Sequence, residues 1–473
     1  TRKGWGYRAD QLPTTHPVQG DVPDSRSALL NFDGISYAKG ASVLRQLMAT
    51  VGEDAFFSGV RAYLSRHAFG NTSFADLLVE LERSSGRDLQ EWARLWLQTT
   101  GVSTLRPVGD EVRQESEVLR PHRIGVGLYD RQGEALVPRE RPDVSIDGAS
   151  APLAGATADL VLLNDGDLTF AKVRFDERSL ETALVDVRRV EDGLARALVW
   201  AALWDACRDA ELPAGRFVRA VIDNVGGESD PAVAEVLLSQ ARTAAQLYTA
   251  DGAGLIDALA DDSLTAAFAA PAGSDLQLVR VRAFAGAAQG FVHPAALEDL
   301  LDGTAVPAGL AVDTELRWTL VKSLAALGRL DHIEIDAELA RDDTAAGRLH
   351  AVAARAAMPT AAAKERAWEV ATSAASSNLE VRAATGGLWR TGQDELLEPY
   401  VDRYISELPR LWAERTPQVA GTLAEGLFPW TLVRQDVLDR TETLLDAAHP
   451  AGLRRLVAEA RDDLARALRA RAA

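Results

Sequence analysis

The most constraining feature of this sequence is its second half, where Ala- and Leu-rich segments carry apolar residues at helical spacing from about residue 190 to residue 473. Amphipathic runs of this kind cover residues 194–209, 232–248, 315–327 and 453–468. One such helix cannot bury its apolar face alone, so the helices must pack against one another. Since no repeat of fixed length is visible, we predict a loose α-helical repeat domain of the HEAT or armadillo type over residues 188–473.

A different pattern occupies residues 102–187, where short segments such as 123–129 and 143–147 alternate apolar and polar residues. Turn dipeptides, for example Gln132-Gly133, separate these segments. Regular short strands with such turns are typical of a small β-sandwich. The acidic run 164–167 lacks the ligand series of a calcium loop, and we predict a hairpin turn there between strands at 160–163 and 168–170.

Residues 1–101 are predicted to be irregular at first and helical afterwards. Pro13, Pro17, Gly20 and Pro23 interrupt any helix in residues 1–31. Between residues 33 and 101, apolar residues recur at helical spacing in successive runs, and a glycine follows each run. The whole chain is therefore predicted to be mainly α-helical with one small β-sandwich.

The excess of acidic over basic residues limits the kinds of partner that the chain can bind. It has 51 Lys and Arg against 69 Asp and Glu, which gives a formal net charge of −18. Phosphate binding needs clustered basic residues, so we expect no nucleic-acid partner. No apolar run has the length that spans a bilayer, so we expect no membrane partner. The single cysteine, Cys207, fits a cytoplasmic location and is predicted to be a small buried residue.

Most common metal and catalytic motifs are missing from the sequence. None of the seven histidines lies in an H-E-x-x-H pattern, and we expect them to be solvent-exposed or capping residues rather than metal ligands. No G-x-S-x-G is present. Residues 4–9 match the letters G-x-G-x-x-A, but no strand precedes them, so a turn is the simpler interpretation. The sequon at residues 71–73 is interpreted as a helix N-cap.

One motif is specific. Residues 31–44 have the sequence NFDGISYAKGASVL, and this resembles the F-D-x-I-x-Y-x-K-G-A segment of the M1 (aminopeptidase N-like) family of zinc aminopeptidases, in its actinobacterial form. Segments on both sides, within residues 10–17, 51–56, 70–77 and 85–101, resemble the same family. Weaker likeness at residues 163–174 and 194–200 extends the resemblance along the chain.

The resemblance implies a fold and a role for each part of the chain. Residues 1–101 would be the C-terminal helical part of a thermolysin-like catalytic domain, residues 102–187 a β-sandwich domain, and residues 188–473 the C-terminal α-helical domain. Enzymes of the family release N-terminal amino acids from peptide substrates with a zinc-activated water. Tyr37 matches the tyrosine whose hydroxyl donates a hydrogen bond to the tetrahedral oxyanion. Periodicity alone would instead favour a buried tyrosine with a satisfied hydroxyl.

The zinc site of the family has no counterpart in this sequence. The H-E-x-x-H helix, the glutamate ligand and the amine-binding G-x-M-E-N-like segment are all without a match. We expect these groups upstream of Thr1, which is not an initiator methionine, in a missing N-terminal part of the same protein. That part is then a partner of this chain, and the chain alone is expected to hold no zinc and to be inactive.

A second hypothesis is a non-catalytic helical-repeat scaffold that binds peptides or proteins. The open reading frame upstream of Thr1 discriminates between the two hypotheses. An H-E-x-x-H followed by a further glutamate supports the enzyme, whereas a start codon close to Thr1 supports the scaffold.

Overall fold

The computed structural model describes residues 3–20, 32–153, 157–290 and 292–473. The chain divides into two compact units, Thr1–Ala206 and Cys207–Ala473. The first unit contains both the leading helices and the β-sheets. The finer division into residues 1–101, 102–187 and 188–473 remains a prediction from the sequence.

The first unit begins with helices that surround an aromatic and aliphatic core. Their bounds are α1 Lys3–Asp10, a π-helical turn Ile35–Lys39, α2 Gly40–Val51, α3 Glu53–Arg66, α4 Phe74–Ser85 and α5 Gln90–Leu97. Val43 and Leu47 of α2, Leu81 of α4 and Trp96 of α5 are fully buried in this core. The apolar spacing that predicted these helices therefore marks the faces they bury.

The ends of these helices follow the predicted signals. Gly52 ends α2 with a positive φ of 90°, which a residue with a Cβ rarely adopts, and its N–H donates to the carbonyl of Met48. Ser73 is the N-cap of α4, and the Asp76 carboxylate accepts the Ser73 N–H at 2.7 Å. The N-cap interpretation of residues 71–73 is confirmed.

The N-terminal segment differs from the prediction, because Lys3–Asp10 is a helix where irregular backbone and a turn were expected. Its stabilisation comes from distant residues. Tyr7 is buried and its hydroxyl donates to the carbonyl of Ala171 at 2.8 Å, while Lys3 donates to Asp167 and to the carbonyl of Thr169. Tertiary contacts of this kind outweigh the low helix propensity of Gly4 and Gly6.

The described residues of the β-region form two four-stranded sheets. The strands are β1 Ser103–Val108, β2 Glu111–Glu115, β3 His122–Gln132, β4 Ala135–Glu140, β5 Asp143–Ile146, β6 Ser150–Pro152, β7 Leu160–Asp165 and β8 Ala171–Val173. One sheet has the order β6-β2-β1-β8, and in the other β3 pairs with β4, β5 and β7. Leu105 and Val112 of the first sheet share one buried cluster with Ile124 and Leu163 of the second, as in a sandwich.

The predicted hairpin at residues 164–167 is wrong. A tight turn does lie there, with positive φ at Asn164, Gly166 and Asp167. However, β7 pairs antiparallel with β3, whereas β8 pairs parallel with β1 in the other sheet. The turn therefore carries the chain from one sheet to the other, which its local sequence does not reveal.

Helices dominate the rest of the chain. They are α6 Glu177–Asp186, α7 Gly193–Arg208, α8 Ala214–Asn224, α9 Pro231–Leu247, α10 Ala253–Ala269, α11 Asp275–Ala287, α12 His293–Asp302, α13 Thr314–Ala326, α14 His332–Arg341, α15 Ala345–Ala357, α16 Ala361–Thr372, α17 Asn378–Leu388, α18 Asp394–Leu397, α19 Pro399–Glu414, α20 Pro417–Gly426, α21 Gln435–Asp446 and α22 Ala451–Ala472. The runs predicted at 194–209, 232–248, 315–327 and 453–468 correspond to α7, α9, α13 and α22. Among the described residues, no helix combines the length and apolarity needed to cross a membrane.

The core of the second unit relies on large aromatic residues set among alanines. Trp318 of α13, Trp368 of α16 and Trp389 after α17 are each at most 2% exposed. The small alanine side chains of α15 let neighbouring helices approach, and Ala351 and Ala354 are fully buried. Cys207 is fully buried as predicted, and burial raises the pKa of its thiol to about 12.

Candidate active site around Tyr37

Tyr37 lies in the middle of the π-helical turn Ile35–Lys39, directly before α2. The Gly40 N–H donates to the Ile35 carbonyl, and this wider turn displaces Tyr37 from a regular helical position. The side chain of Tyr37 is 54% exposed, and within the described residues its hydroxyl has no hydrogen-bond partner. The buried and satisfied tyrosine that periodicity alone would favour is thus not what the structure shows.

Two exposed aromatic residues accompany Tyr37. The Trp5 ring of α1 is stacked on it with centroids 6.4 Å apart and an interplanar angle of 16°. The Phe32 ring lies at 5.8 Å, tilted by 47°. We call Trp5, Phe32 and Tyr37 the aromatic cluster. Contacts of this kind stabilise aromatic pairs by about 0.5–1.5 kcal/mol, so they restrict the directions in which the phenol can point.

Asp33 anchors the backbone that carries Tyr37. Its Oδ1 accepts the N–H of Ile35 at 2.9 Å and that of Ser36 at 3.1 Å. Its carbonyl accepts the Tyr37 N–H at 3.2 Å. A carboxylate that satisfies the free N–H groups at the start of a helical turn fixes the position of that turn.

His16 holds the other oxygen of Asp33. Its Nε2 lies 2.8 Å from Asp33 Oδ2, and its Nδ1 lies 2.9 Å from the Pro17 carbonyl. Both ring nitrogens face acceptors, and both can donate only in the imidazolium form. The two side chains are less than a fifth exposed, at 17% and 18%, so the pair is partly shielded from water.

A buried ion pair fixes the end of the π-helical turn. Lys39 Nζ lies 2.9 Å from Asp10 Oδ2, and both side chains are completely buried. Asp10 Oδ1 also accepts the Gly101 N–H at 2.9 Å and the Thr15 hydroxyl at 2.7 Å. Burial lowers the pKa of Lys39, and the Asp10 carboxylate opposes that shift. The pair joins α1, the π-helical turn and the segment that leads into β1.

Helix α1 approaches the π-helical turn so closely that a glycine is required. A Cβ on Gly34 would lie 2.5 Å from the Trp5 carbonyl oxygen. A Cβ on Gly6 would lie 3.0 Å from the Phe170 ring. This close approach places the Trp5 ring beside Tyr37, so the glycine in the motif is explained by geometry.

The histidines only partly follow the expectation of exposed or capping residues. His122 and His293 are buried, at 2% and 5% exposure. His122 lies 2.8 Å from the Thr169 hydroxyl and 3.2 Å from Gln114 Oε1, and burial lowers its pKa to about 3. The expectation was wrong for these two residues, because the sequence does not show that the folded protein supplies buried polar partners for them.

No metal site can be built from the described residues. Nowhere in residues 3–20, 32–153, 157–290 and 292–473 do three His, Cys, Asp or Glu side chains lie together as metal ligands would. These residues therefore do not fit a zinc ion. Asn31, the first letter of the quoted motif, lies outside the described residues.

Sequence reasoning identified Tyr37 but assigned no role to the residues that hold it. His16, Asp33 and Lys39 were visible only as letters of the resemblance. Trp5 gave no signal, because its partner lies more than thirty positions away along the chain. The one available signal concerned Lys39, which precedes Val43 and Leu47 by four and eight positions and so shares the face that a helix would bury.

Comparisons with known proteins match two parts of the chain to described families. The family described as "Peptidase family M1 domain" matches this chain over residues 5–96, which include the whole aromatic cluster. The description "ERAP1-like C-terminal domain" matches residues 160–466.

Curated relatives give the same result. The chain is 47% identical to "Aminopeptidase N" of Streptomyces lividans, in an alignment that covers 100% of the chain and 58% of that protein. It is 40% identical over 151 residues to "Aminopeptidase 2" of Candida albicans, which covers 28% of the chain and 16% of the relative. It is 29% identical over 194 residues to "Tricorn protease-interacting factor F2" of Thermoplasma acidophilum, with 40% and 24% covered. The chain thus spans little more than half of the Streptomyces lividans protein, which it matches along its own whole length. It belongs to the M1 peptidase family, with a segment of the peptidase domain followed by an ERAP1-like C-terminal domain.

Proposed function

We propose that this chain is part of a zinc metalloaminopeptidase that releases N-terminal amino acids from peptides, and that Tyr37 stabilises the oxyanion of the tetrahedral intermediate. The observation that carries this proposal is the state of Tyr37, which is 54% exposed and whose hydroxyl has no hydrogen-bond partner among the described residues. The names of the relatives support the same activity.

The chemistry suits a phenol. When water adds to a peptide carbonyl, negative charge develops on the carbonyl oxygen, and a neutral O–H can donate to it without bringing charge of its own. Asp33 and the aromatic cluster hold Tyr37 in place before substrate arrives, so little reorganisation is needed as the charge forms. One such donor accelerates hydrolysis about 100- to 1,000-fold.

The family resemblance is the only ground on which we propose a zinc ion. We propose that its ligands and the group that binds the substrate amine lie in a part of the protein outside this chain, which would make the chain alone inactive. We also propose a cytoplasmic location, which the single buried cysteine supports, and a HEAT- or armadillo-like arrangement of the helices in residues 188–473.

The substitution Tyr37→Phe in the full-length protein tests the role of the hydroxyl. We expect kcat to fall about 100- to 1,000-fold and KM to change little, because the hydrogen bond forms only as charge develops. Steady-state kinetics on aminoacyl-4-nitroanilides measures both constants.

Tyr63→Phe is the matched control, because Tyr63 lies on α3 and, within the described residues, its hydroxyl contacts only the Thr72 hydroxyl. It should leave kcat unchanged. A kcat of Tyr37→Phe close to that of the wild type would remove Tyr37 from the mechanism.

The scaffold alternative is tested on the same material. The 473-residue chain alone should show no hydrolysis above background, whereas the full-length protein with zinc should be active. If the full-length protein is inactive with zinc supplied and still binds peptides, the scaffold hypothesis replaces the enzyme.

A further inference from the structure

Four basic side chains of the second unit lie close enough for their charges to interact. They are Arg242 on α9, Lys322 on α13, Lys364 on α16 and Arg390 just after α17. We call them the basic cluster. Because 69 acidic residues outnumber 51 basic ones in this chain, a group of cations without acidic partners is unexpected.

Polar contacts link the segments that carry Arg242 and Lys322, two members of the basic cluster. Arg242 Nη1 donates to the Gly286 carbonyl at 3.4 Å. The neighbouring carbonyl, that of Ala285, accepts the Ser323 hydroxyl at 2.7 Å, and Ser323 follows Lys322 directly. The segments that carry Arg242 and Lys322 are therefore joined through α11.

Further contacts bring in Lys364 and Arg390. Lys364 Nζ donates to the Leu388 carbonyl at 3.0 Å, two residues before Arg390. The Gln393 side chain donates to the carbonyls of Ala326 and Ala357 at 3.0 and 3.1 Å, which fixes the segment after α17 against the ends of α13 and α15. The segment that carries Arg390 therefore contacts α13, α15 and α16.

The cluster has no acidic partner in ion-pair contact. Within the part of the chain that the structure describes, no carboxylate lies within 4.0 Å of Arg242, Lys322, Lys364 or Arg390, and Arg390 Nε is buried without a hydrogen bond. Other cations of the same unit are paired, for example Arg317 with Glu338 at 2.7 Å. A carboxylate, Glu315, is close enough to raise the pKa of Lys322, but it does not contact it.

The charges of the cluster oppose one another. Burial lowers the pKa of Arg390, and the Arg242 charge lowers it further. Burial is the largest cause that lowers the pKa of Lys322 and of Lys364, and the charge of Arg390 is the next. The pKa of Lys364 is lowered to about 7. Like charges held together in a partly desolvated site destabilise the fold, and such unfavourable arrangements are found mainly at functional sites.

A cavity of about 360 Å³ gives access to the Arg242 end of the cluster. Its walls include Arg242, Arg282, Ser239 and Gly286, with one carboxylate, Glu235, on α9. A Cβ on Gly286 would lie 2.7 Å from Arg242 Nη1, so the glycine leaves room for the guanidinium. Arg242, Lys322 and Arg390 are all partly exposed and can be reached from solvent.

We propose that the basic cluster is a binding site for an anionic group, either a carboxylate or a phosphate. A guanidinium recognises both through paired N–H donors, and a lysine adds a point charge. A bound anion would neutralise the mutual repulsion of Arg242, Lys322 and Arg390. This proposal does not depend on the peptidase activity proposed above.

Ligand-dependent thermal unfolding of the full-length protein tests the site. The probes are sodium phosphate, an N-acetylated alanine tripeptide with a free C-terminal carboxylate, and the same tripeptide as its C-terminal amide, each at constant ionic strength adjusted with sodium chloride. N-acetylation removes the free α-amine on which the proposed peptidase site acts. We expect phosphate, the free-acid tripeptide or both to raise Tm by about 2–4 °C at tenfold excess over Kd, and the amide to have no effect.

Arg390→Gln and Lys322→Gln should abolish the rise, while their Tm in chloride should equal or exceed that of the wild type because repulsion is removed. Arg382→Gln, an exposed cation on α17, is the matched control and should keep the rise. A response to phosphate alone identifies free phosphate as the ligand source, and a response to the free acid alone identifies a chain-end carboxylate.

Three results would overturn the proposal. One is no rise for either anion relative to chloride. Another is an equal rise with the amide. The third is a rise that survives in Lys322→Gln, a partly exposed residue whose substitution keeps the test valid even if Arg390→Gln does not fold.

Discussion

At the scale of single residues, the candidate site is one exposed phenol on a turn that is held from several directions. Asp33 satisfies three backbone or imidazole donors with its two carboxylate oxygens, and Lys39 is buried against Asp10. Among the described residues, the Tyr37 hydroxyl has no hydrogen-bond partner. A functional side chain that is free at its reactive atom and fixed at its backbone is what preorganisation requires.

Asp33→Ala in the full-length protein should lower kcat about tenfold or more with Tyr37 still present, because the π-helical turn loses the acceptor for two N–H groups and for His16. Asp33→Asn keeps one oxygen acceptor and should recover part of the loss. The kinetic constants of the variants, with thermal unfolding as a check on folding, measure the effect.

A double variant separates positioning from mere destabilisation. If Asp33 acts through Tyr37, combining Asp33→Ala with Tyr37→Phe should lower kcat little more than Tyr37→Phe alone. Fully additive losses would show that Asp33 acts by another route.

At the scale of elements, a helix or strand is positioned by a few polar residues that its own sequence does not single out. Helix α1 contains two glycines and a weak apolar pattern, yet Lys3, Tyr7 and Asp10 tie it to residues 29 to 166 positions away. The helix is therefore a consequence of the surrounding fold rather than of its local propensity.

Lys39→Met should destabilise the first unit by about 3–5 kcal/mol, because it leaves the Asp10 carboxylate buried without its cation. Urea unfolding followed by fluorescence of the tryptophans in α5 and α1 measures the change. Adding Asp10→Asn should restore part of the stability, since no unpaired charge then remains.

The matched control is Arg94→Gln, which breaks the exposed pair of Arg94 with Glu91 on α5. Exposed pairs contribute little, so its free energy of unfolding should stay near that of the wild type. Equal effects of the two substitutions would contradict the importance assigned to the buried pair.

Lys364 gives a pH-dependent prediction. Its pKa in the folded protein is about 7, against 10.5 for an ordinary lysine, so the unfolded chain binds more protons between those values. Stability should therefore rise with pH through this window, by about 2 kcal/mol between pH 7 and pH 9.

Lys364→Met should remove this part of the pH dependence, as measured by urea unfolding at the two pH values. Arg366→Gln, which changes an exposed cation on the same helix α16, should retain it. A wild-type slope in Lys364→Met would mean that Lys364 is charged in the fold throughout this range.

At the scale of the whole molecule, the chain forms two compact units, and acidic residues dominate its composition. The first unit contains helices, sheets and the turn that carries Tyr37, and the described residues of the second unit form helices and the segments that connect them. The basic cluster of the second unit is notable against a net charge of −18. Such a concentration of positive charge arises only because α9, α13, α16 and the end of α17 meet in space.

The sequence by itself determined the elements with strong periodicity and the motif. The helices α2, α4, α7, α9, α13 and α22 and the strands β3 and β5 follow from apolar spacing, because that spacing decides which face of an element can be buried. The motif around Tyr37 was recognisable from adjacent letters, and the comparisons confirm the family it indicated.

Only the tertiary structure decided the features that depend on residues distant in sequence. The helix Lys3–Asp10 needs Thr169 and Ala171, and the turn at residues 164–167 joins two sheets because β8 finds β1 as its partner. His122 is buried because Thr169 and Gln114 satisfy it, and Tyr37 is exposed because its turn is anchored elsewhere. Local periodicity is a property of the chain, whereas burial of a polar group depends on partners that only the folded chain supplies.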